Sequence, residues 1–259
     1  MKEKISIIIP AYNEAKRIGR TLEAYGKFLR DKKANFEAIV VLNACTDNTL
    51  DIVKQWQEKF EEIRYLEFEQ GGKGFAIIKG FKEALKNNSD LIGFVDADMA
   101  TLPQHFYELV DKIGNYDGII AARWKKDSVI KEKKSIIRKI YSFGFNFLVR
   151  SLLFLPHSDT QCGAKLFKKK AIENVINDIG ITRWAFDIDL LYKLNKKGFK
   201  VKEIPTIWED KAGSTIGVKA AFQMFFALIR LRLLNSRFKF VVRAYDKMPE
   251  WTKLHHRIK

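Results

Sequence analysis

The sequence predicts an α/β fold, a mostly parallel sheet flanked by helices, with a C-terminal amphipathic helical extension. Two observations predict it. Apolar, β-branched runs at residues 5–10, 38–42, 63–68 and 91–95 lack the polar alternation of half-exposed strands, so they read as strands covered on both faces. Helical patterns over residues 14–30, 47–60 and 73–85 separate them. Strand and helix in alternation build right-handed crossover units, and such units make parallel sheets.

The elements follow in order. The first run ends in Pro10, which is expected to stop strand pairing, and Asn13 or Glu14 can start the helix that follows. The second half is less regular. A strand is predicted at 118–122, a basic segment at 125–139, a short strand at 164–167, helices at 168–177 and 185–197, and a strand at 201–207. Apolar helical runs cover 140–155 and 218–234. No internal repeat or Pro/Gly-rich linker divides the chain. The expected organisation is one domain over residues 1–215, with a basic amphipathic helix and tail over 216–259.

Composition narrows the function. At 259 residues, 47% hydrophobic and 30% charged, the chain can bury a full core and is not a disordered polymer. Lys and Arg total 47 against 31 Asp and Glu, a formal net charge of +16. That excess favours a polyanionic partner: nucleic acid, an anionic membrane surface or phosphorylated substrates. Cys45 and Cys162 stand far apart and the four histidines show no zinc spacing with them, so a disulfide framework is not expected and a cytoplasmic setting is. The apolar start is too short for a signal peptide, and no run of eighteen apolar residues suggests a membrane span.

In parallel sheets, ligands bind beyond the carboxyl ends of the strands. Four segments occupy such ends: residues 10–14, 43–47, 70–74 and 96–101. Asp96-Ala97-Asp98 follows a buried strand, and two carboxylates at i and i+2 can lean toward one hard cation, Mg²⁺ or Mn²⁺, that neutralises a departing diphosphate. The alternative is a solvated turn in which Asp98 caps a helix starting near Pro103. Gly71-Gly72-Lys73-Gly74 offers close backbone approach and one ammonium to a diphosphate, without the spacing of a P-loop. Pro10-Ala11-Tyr12-Asn13-Glu14 offers Tyr12 to a nucleobase and Glu14 to ribose or base, or it is only a strand-to-helix turn.

Taken together, the PxYNE opening, the GKG loop and the DxD resemble family 2 glycosyltransferases of the GT-A fold, whose sheet is Rossmann-like. Asp159-Thr160-Gln161-Cys162-Gly163-Ala164-Lys165-Leu166-Phe167, Arg183-Trp184-Ala185-Phe186-Asp187, Trp208 with Gly213-Ser214, and Gln223-Met224 with Ile229-Arg230-Leu231-Arg232-Leu233 are similar to dolichyl-phosphate β-glucosyltransferases, relatives of the dolichyl-phosphate mannose synthases. The resemblance runs from about Ile5 to Leu234. It implies that Pro10, Tyr12 and Glu14 hold the nucleoside, that Asp96 and Asp98 hold the metal and ribose-diphosphate, and that Lys73 lies near the diphosphate. It places Arg123 near the donor sugar or phosphates, and Gln161 and Asp187 toward sugar and acceptor. Asp98, Asp187, Arg123 and Gln161 are thus the catalytic candidates; Asn43 and Arg138 join the nucleotide- and substrate-binding set. Where the family carries DDxSxD, this chain reads Leu42-Asn43-Ala44-Cys45-Thr46-Asp47. Met99-Ala100-Thr101 is nearer the glucosyl than the mannosyl branch. An N-terminal anchor of the kind eukaryotic members carry is not expected.

The expected reaction is inverting transfer of a sugar, glucose or another UDP-sugar, to a polyprenyl phosphate. That acceptor needs no base, because a phosphomonoester with a second pKa of about 6 is already anionic at neutral pH. Asp187 can then be an orienter of Arg and Lys, a base for a hydroxyl acceptor, or simply a carboxylate at a helix start. Lys125, Lys126, Lys131, Lys133, Lys134, Arg138 and Lys139 precede the first apolar helix; Arg237, Lys239 and Arg243 follow the second. Both helices suit the cytoplasmic face of an anionic membrane, or a core or dimer contact. The rival functions are transfer to a hydroxyl of a glycolipid or polysaccharide, a nucleotidyltransferase, and non-catalytic nucleic-acid binding, which the strand-end segments argue against.

Overall fold

Six strands of a seven-stranded sheet point one way in the computed structural model, which describes residues 2–130, 136–180, 185–209 and 218–247. In chain order the elements begin β1 (Lys4–Ala11), α1 (Ile18–Asp31), β2 (Asn35–Asn43), α2 (Thr49–Lys59), β3 (Ile63–Phe68), α3 (Lys73–Lys86), β4 (Leu91–Phe94), α4 (Pro103–Lys112) and β5 (Gly118–Ala122). They continue with β6 (Val129–Ile130), α5 (Ile136–Leu153), β7 (Lys165–Lys168), α6 (Lys169–Val175), α7 (Phe186–Lys196), β8 (Val201–Pro205), β9 (Ile207–Trp208), α8 (Val218–Leu234) and α9 (Lys239–Lys247). The sheet order is β3-β2-β1-β4-β7-β5-β8, and β6 pairs with β9 in a separate two-stranded ribbon.

The alternation of side chains along β1 explains its unbroken apolarity. Ile7 and Ile9 join one buried cluster with Leu22 and Tyr25 of α1, Val53 of α2 and Phe106 of α4. Ile8 joins the other, with Ile77 and Phe81 of α3, Ile172 of α6 and Leu190 of α7. Helices cover both faces, so both sets of side chains must be apolar. A third cluster packs Val149 and Leu153 of α5 against Leu228 and Leu231 of α8 and Ile188 of α7. No helix among the described residues is long and apolar enough to cross a membrane.

Two expectations are corrected, for Pro10 and for the strand at 201–207, and two further elements gain detail. Pro10 does not stop the strand: it pairs with Val41, and β1 continues to Ala11. The Ile8 carbonyl faces β4 and accepts the Val95 N–H at 3.0 Å; Pro10, two residues on, faces the same side, beyond the last strand residue of β4, where no ladder bond is lost. The strand expected at 164–167 lies at Lys165–Lys168 and runs antiparallel between β4 and β5, a direction that a four-residue apolar run cannot encode. The strand expected at 201–207 breaks at Thr206, where the chain leaves β5 for the small ribbon. Beyond α8, residues Lys239–Lys247 of the expected tail form a further helix.

Candidate active site

The carboxyl edge of the sheet is where the chain must turn, and three of its turns use a left-handed residue that is not glycine: Asn13 (φ +53°) after β1, Ala44 (φ +54°) after β2 and Met99 (φ +63°) after β4. Such backbone costs of order 1–3 kcal/mol each and persists only where neighbours enforce it. Here they do. Asn13 Oδ1 accepts the Thr46 N–H at 2.8 Å, and the Ala44 N–H donates to the Phe68 carbonyl at 2.7 Å. Asp98 Oδ1 accepts the Ala100 N–H at 2.9 Å. Asp98 therefore closes its own turn instead of capping α4, whose first turn has no side-chain cap.

Helix α1 holds this turn from below. Buried Thr21 donates its hydroxyl to the Ala97 carbonyl at 2.7 Å, and buried Tyr25 donates to the Thr101 carbonyl at 2.9 Å. The result is a fixed platform from which Asp96 and Asp98 project, both half-buried. Lys73, first residue of α3, meets Asp96 Oδ1 at 2.5 Å while staying two-fifths exposed. Asn43 sets that approach. Its amide nitrogen donates to the Ala11 carbonyl at 2.7 Å and its oxygen accepts the Gly72 N–H at 2.9 Å, so it fastens the glycine loop to the end of β1. This buried amide thus ties the glycine loop to the first strand.

The segment before β7 closes the opposite wall. Asp159, fully buried, accepts Arg123 Nε at 2.7 Å, Arg123 Nη2 at 2.9 Å and the Arg123 backbone N–H at 2.9 Å. The Arg123 guanidinium also stacks 5.1 Å from the Trp208 ring centre. Gln161 lies half-buried and donates its backbone N–H to Asp159 at 3.2 Å. Gly163 touches Asp96 so closely that a Cβ there would sit 1.9 Å from Oδ2. Lys165, fully buried, donates to the Cys162 carbonyl at 2.5 Å and to Asp187 Oδ1 at 2.6 Å. Asp187 lies in the first turn of α7, so the helix-start position and the Lys partner are both real. On the open side, Tyr12 is 59% exposed, and Glu14 grips Arg17 through two bonds of 2.7 Å.

Charge alternates across this cluster. Burial pushes the Asp98 carboxyl above its ordinary value, and the neighbouring Asp96 charge adds to that; the Ala100 N–H, Arg17 and Lys73 only partly offset it. Asp96 goes the other way: burial would raise it, but Lys73 and then Lys165 and Arg123 hold it below its ordinary value. Burial would lower Lys73, yet Asp96, Asp187 and Asp98 keep it above its ordinary value. Burial pushes Glu14 up, and Arg17 counters it incompletely. A second carboxylate forced upward beside a first is a place where an added cation relieves repulsion. Among the described residues no group of three or more acidic, His or Cys side chains forms a metal cage. Two carboxylates from one turn fit a hard cation that takes its remaining oxygens from water and phosphate.

The structure thus gathers Glu14, Lys73, Asp96, Asp98 and Asp187, with Arg123 and Gln161 along the wall and Tyr12 exposed just after β1, while Pro10 stays buried in β1. Arg138 belongs to α5, but its side chain, like that of Gln223, lies outside the described residues, as do Lys131, Lys133, Lys134, Arg183, Trp184, Gly213 and Ser214. Sequence reasoning assigned no role to Thr21, Tyr25, Asp159, Gly163 or Lys165. Lys165 carried a signal: it lies inside the short strand expected at 164–167, and a charged residue buried in such a strand must have a counter-charge.

Comparison with known proteins adds independent findings. The family model described as glycosyl transferase family 2 matches residues 6–176. The dolichyl-phosphate beta-glucosyltransferase of Dictyostelium discoideum is 32% identical over 243 residues, covering 88% of this chain and 73% of that protein. Its counterpart in Saccharomyces cerevisiae is 31% identical over 236 residues, 83% of this chain and 69% of that one. Glycosyltransferase AglD of Haloferax volcanii is 32% identical over 218 residues, and there the match spans 82% of this chain but only 34% of the relative. Among solved structures, glucosyl-3-phosphoglycerate synthase from Mycobacterium tuberculosis, in complex with Mn²⁺, UDP and phosphoglyceric acid, superposes with a TM-score of 0.68 at 16% identity, covering 89% of this chain and 78% of that one. The sheet and its flanking helices are those of the GT-A fold.

Proposed function

The chain belongs to glycosyltransferase family 2, and from that premise we propose that it moves glucose from UDP-glucose to a polyprenyl phosphate with inversion. One observation carries the donor half: Lys73, Asp96 and Asp98 converge at the carboxyl edge of the sheet, beside the N-terminus of α3, and Tyr12 stands exposed at the end of the adjacent strand β1. Helix N-termini and a nearby ammonium attract a diphosphate, and an open aromatic face suits a base. Asp96 and Asp98 are the residues that would hold Mg²⁺ or Mn²⁺. When bound, such an ion neutralises charge that builds on the departing diphosphate.

The acceptor half rests on the dolichyl-phosphate glucosyltransferase relatives and on the chemistry of the wall. A phosphomonoester arrives anionic and needs cations and alignment, not a base. Lys73 and the fixed Arg123 supply positive potential; Asp187, engaged with a buried ammonium, is badly placed to accept a proton. Apolar exposure supports a membrane setting. Helices α5 and α8 bury one side of each in their shared cluster, while Phe143 and Phe147 on α5 are each 66% exposed and Phe154 is 74% exposed. Arg232 lies 5.7 Å from the Phe154 ring centre, and Arg150 is exposed nearby in sequence. Exposed aromatic side chains on a strongly basic chain suit the interface of an anionic bilayer, where the protein rests peripherally and meets its lipid acceptor.

The test is direct. Purified protein is incubated with UDP-[¹⁴C]glucose, Mn²⁺ and a short polyprenyl phosphate, and label extracted into organic solvent is challenged with mild acid. The expected product is extractable and acid-labile, as a glycosyl phosphate is. An acid-stable glycoside would assign a hydroxyl acceptor instead, and no incorporation from any UDP-sugar would reject the donor.

A further inference from the structure

Lys165 poses a physical problem that its surroundings answer. An ammonium with no solvent exposure survives only if a counter-charge and hydrogen bonds replace its lost hydration. Its three partners come from three places in the chain: the Cys162 carbonyl at 2.5 Å, Asp187 Oδ1 at 2.6 Å, and the face of Phe94 at 5.1 Å. The carbonyl it holds belongs to the residue just before Gly163. Gly163 in turn lies against the Asp96 carboxylate, with no room for a methyl group between them. Upstream, Asp159 pins the same segment to Arg123 through a bidentate pair. Residues 159–165 are therefore tied at both ends by buried ion pairs, with their middle pressed on the carboxylate that Lys73 also holds.

We propose that Lys165 and Asp187 act as one positioning unit: Asp187 is the fixed counter-charge of Lys165, which holds the Cys162 carbonyl and thereby Gly163 against Asp96, and Asp187 accepts no proton from the acceptor. The last clause rests on the phosphate-acceptor reading given above; the positioning of Asp96 does not. Removing one charge takes from the other its hydrogen-bonded partner, and Asp96 loses its wall. Replacing both by amides removes the imbalance and keeps a donor for the carbonyl.

Four proteins decide it: the unaltered chain, Lys165→Met, Asp187→Asn, and the double variant K165Q/D187N. Mn²⁺–UDP affinity is measured by calorimetry, the melting temperature by scanning, and transfer rate as a function of pH. Loss of a group that orients a metal ligand typically weakens metal affinity about 10- to 100-fold, and each single variant is expected in that range. The double variant is expected to recover affinity to within about threefold of the unaltered chain, with the acid limb of its rate profile unmoved. A double variant as weak as the singles overturns the pairing, and so does an Asp187→Asn protein that binds like the unaltered chain. A double variant that binds Mn²⁺–UDP normally but transfers nothing gives Asp187 a chemical role and overturns the second clause. If the unaltered chain binds Mn²⁺–UDP and glucosylates no polyprenyl phosphate, the acceptor reading fails while the affinity series still judges the brace.

Discussion

Gly163 decides how close the β7 segment can stand to Asp96. A side chain there would overlap the carboxylate, so Gly163→Ala must rotate Asp96 away from its place beside Lys73. A misplacement of about 1 Å can cost about 100-fold in rate, and transfer is expected to fall by that order while the melting temperature changes by only a few degrees. A rate within a few-fold of the unaltered chain would show that Asp96 is not positioned there. Asp159 supports a second prediction. Burial would raise its carboxyl, but Arg123 outweighs burial and holds it below the ordinary value. A group depressed in the folded state contributes stability that is whole above its unfolded pKa of about 3.9 and drains away as pH falls through the lower folded value. Asp159→Asn should abolish that acid-side slope in urea denaturation, and at neutral pH should cost about 3–5 kcal/mol because Arg123 keeps a buried, unbalanced charge. The sequence made Asp96, Asp98 and Lys73 visible because each follows directly on a strand end or opens a helix. It hid the duties of Asp159 and Lys165, whose partners lie 36 and 22 residues away and meet them only after folding.

At the scale of elements, α1 does two jobs: it covers the sheet and it holds the Asp96–Asp98 turn through Thr21 and Tyr25. Thr21→Val and Tyr25→Phe each leave a buried carbonyl without its donor, a loss of about 1–3 kcal/mol apiece. Both should also raise the concentration of Mn²⁺ needed for half-maximal transfer, since the turn they steady carries both carboxylates; stability loss with unchanged metal dependence would confine α1 to packing. The parallel half of the sheet was legible because apolar runs and helical periods alternate from Ile5 to Val95. The reversed direction of β7 was not, since four residues between β4 and β5 carry no mark of orientation. Pro10 misled for a physical reason as well: a proline ends a strand only where its missing N–H would have been paired, and β4 stops short of that level.

Over the whole molecule, the formal charge of +16 and the exposed phenylalanines of α5 are the basis of the proposed contact with an anionic bilayer. Burying a Phe side chain in an apolar phase gains about 1.5–3 kcal/mol, so Phe143→Ser with Phe147→Ser should lower partitioning onto anionic liposomes at least about tenfold without harming the fold. Added salt should release the unaltered protein from the same vesicles, because each Lys or Arg near an anionic surface contributes about 1 kcal/mol that ions screen. Sedimentation unchanged by either would leave α5 and α8 to a protein contact. The donor site anchors the rest of the account, and its most direct measurement is the anomalous signal of manganese in crystals soaked with Mn²⁺ and UDP. One strong peak is expected within about 2.0–2.3 Å of a carboxylate oxygen of Asp98, beside Asp96, with diphosphate oxygens completing its shell. A nucleotide bound in that cleft with no metal peak at the Asp96–Asp98 turn, or manganese held elsewhere on the chain, would contradict it.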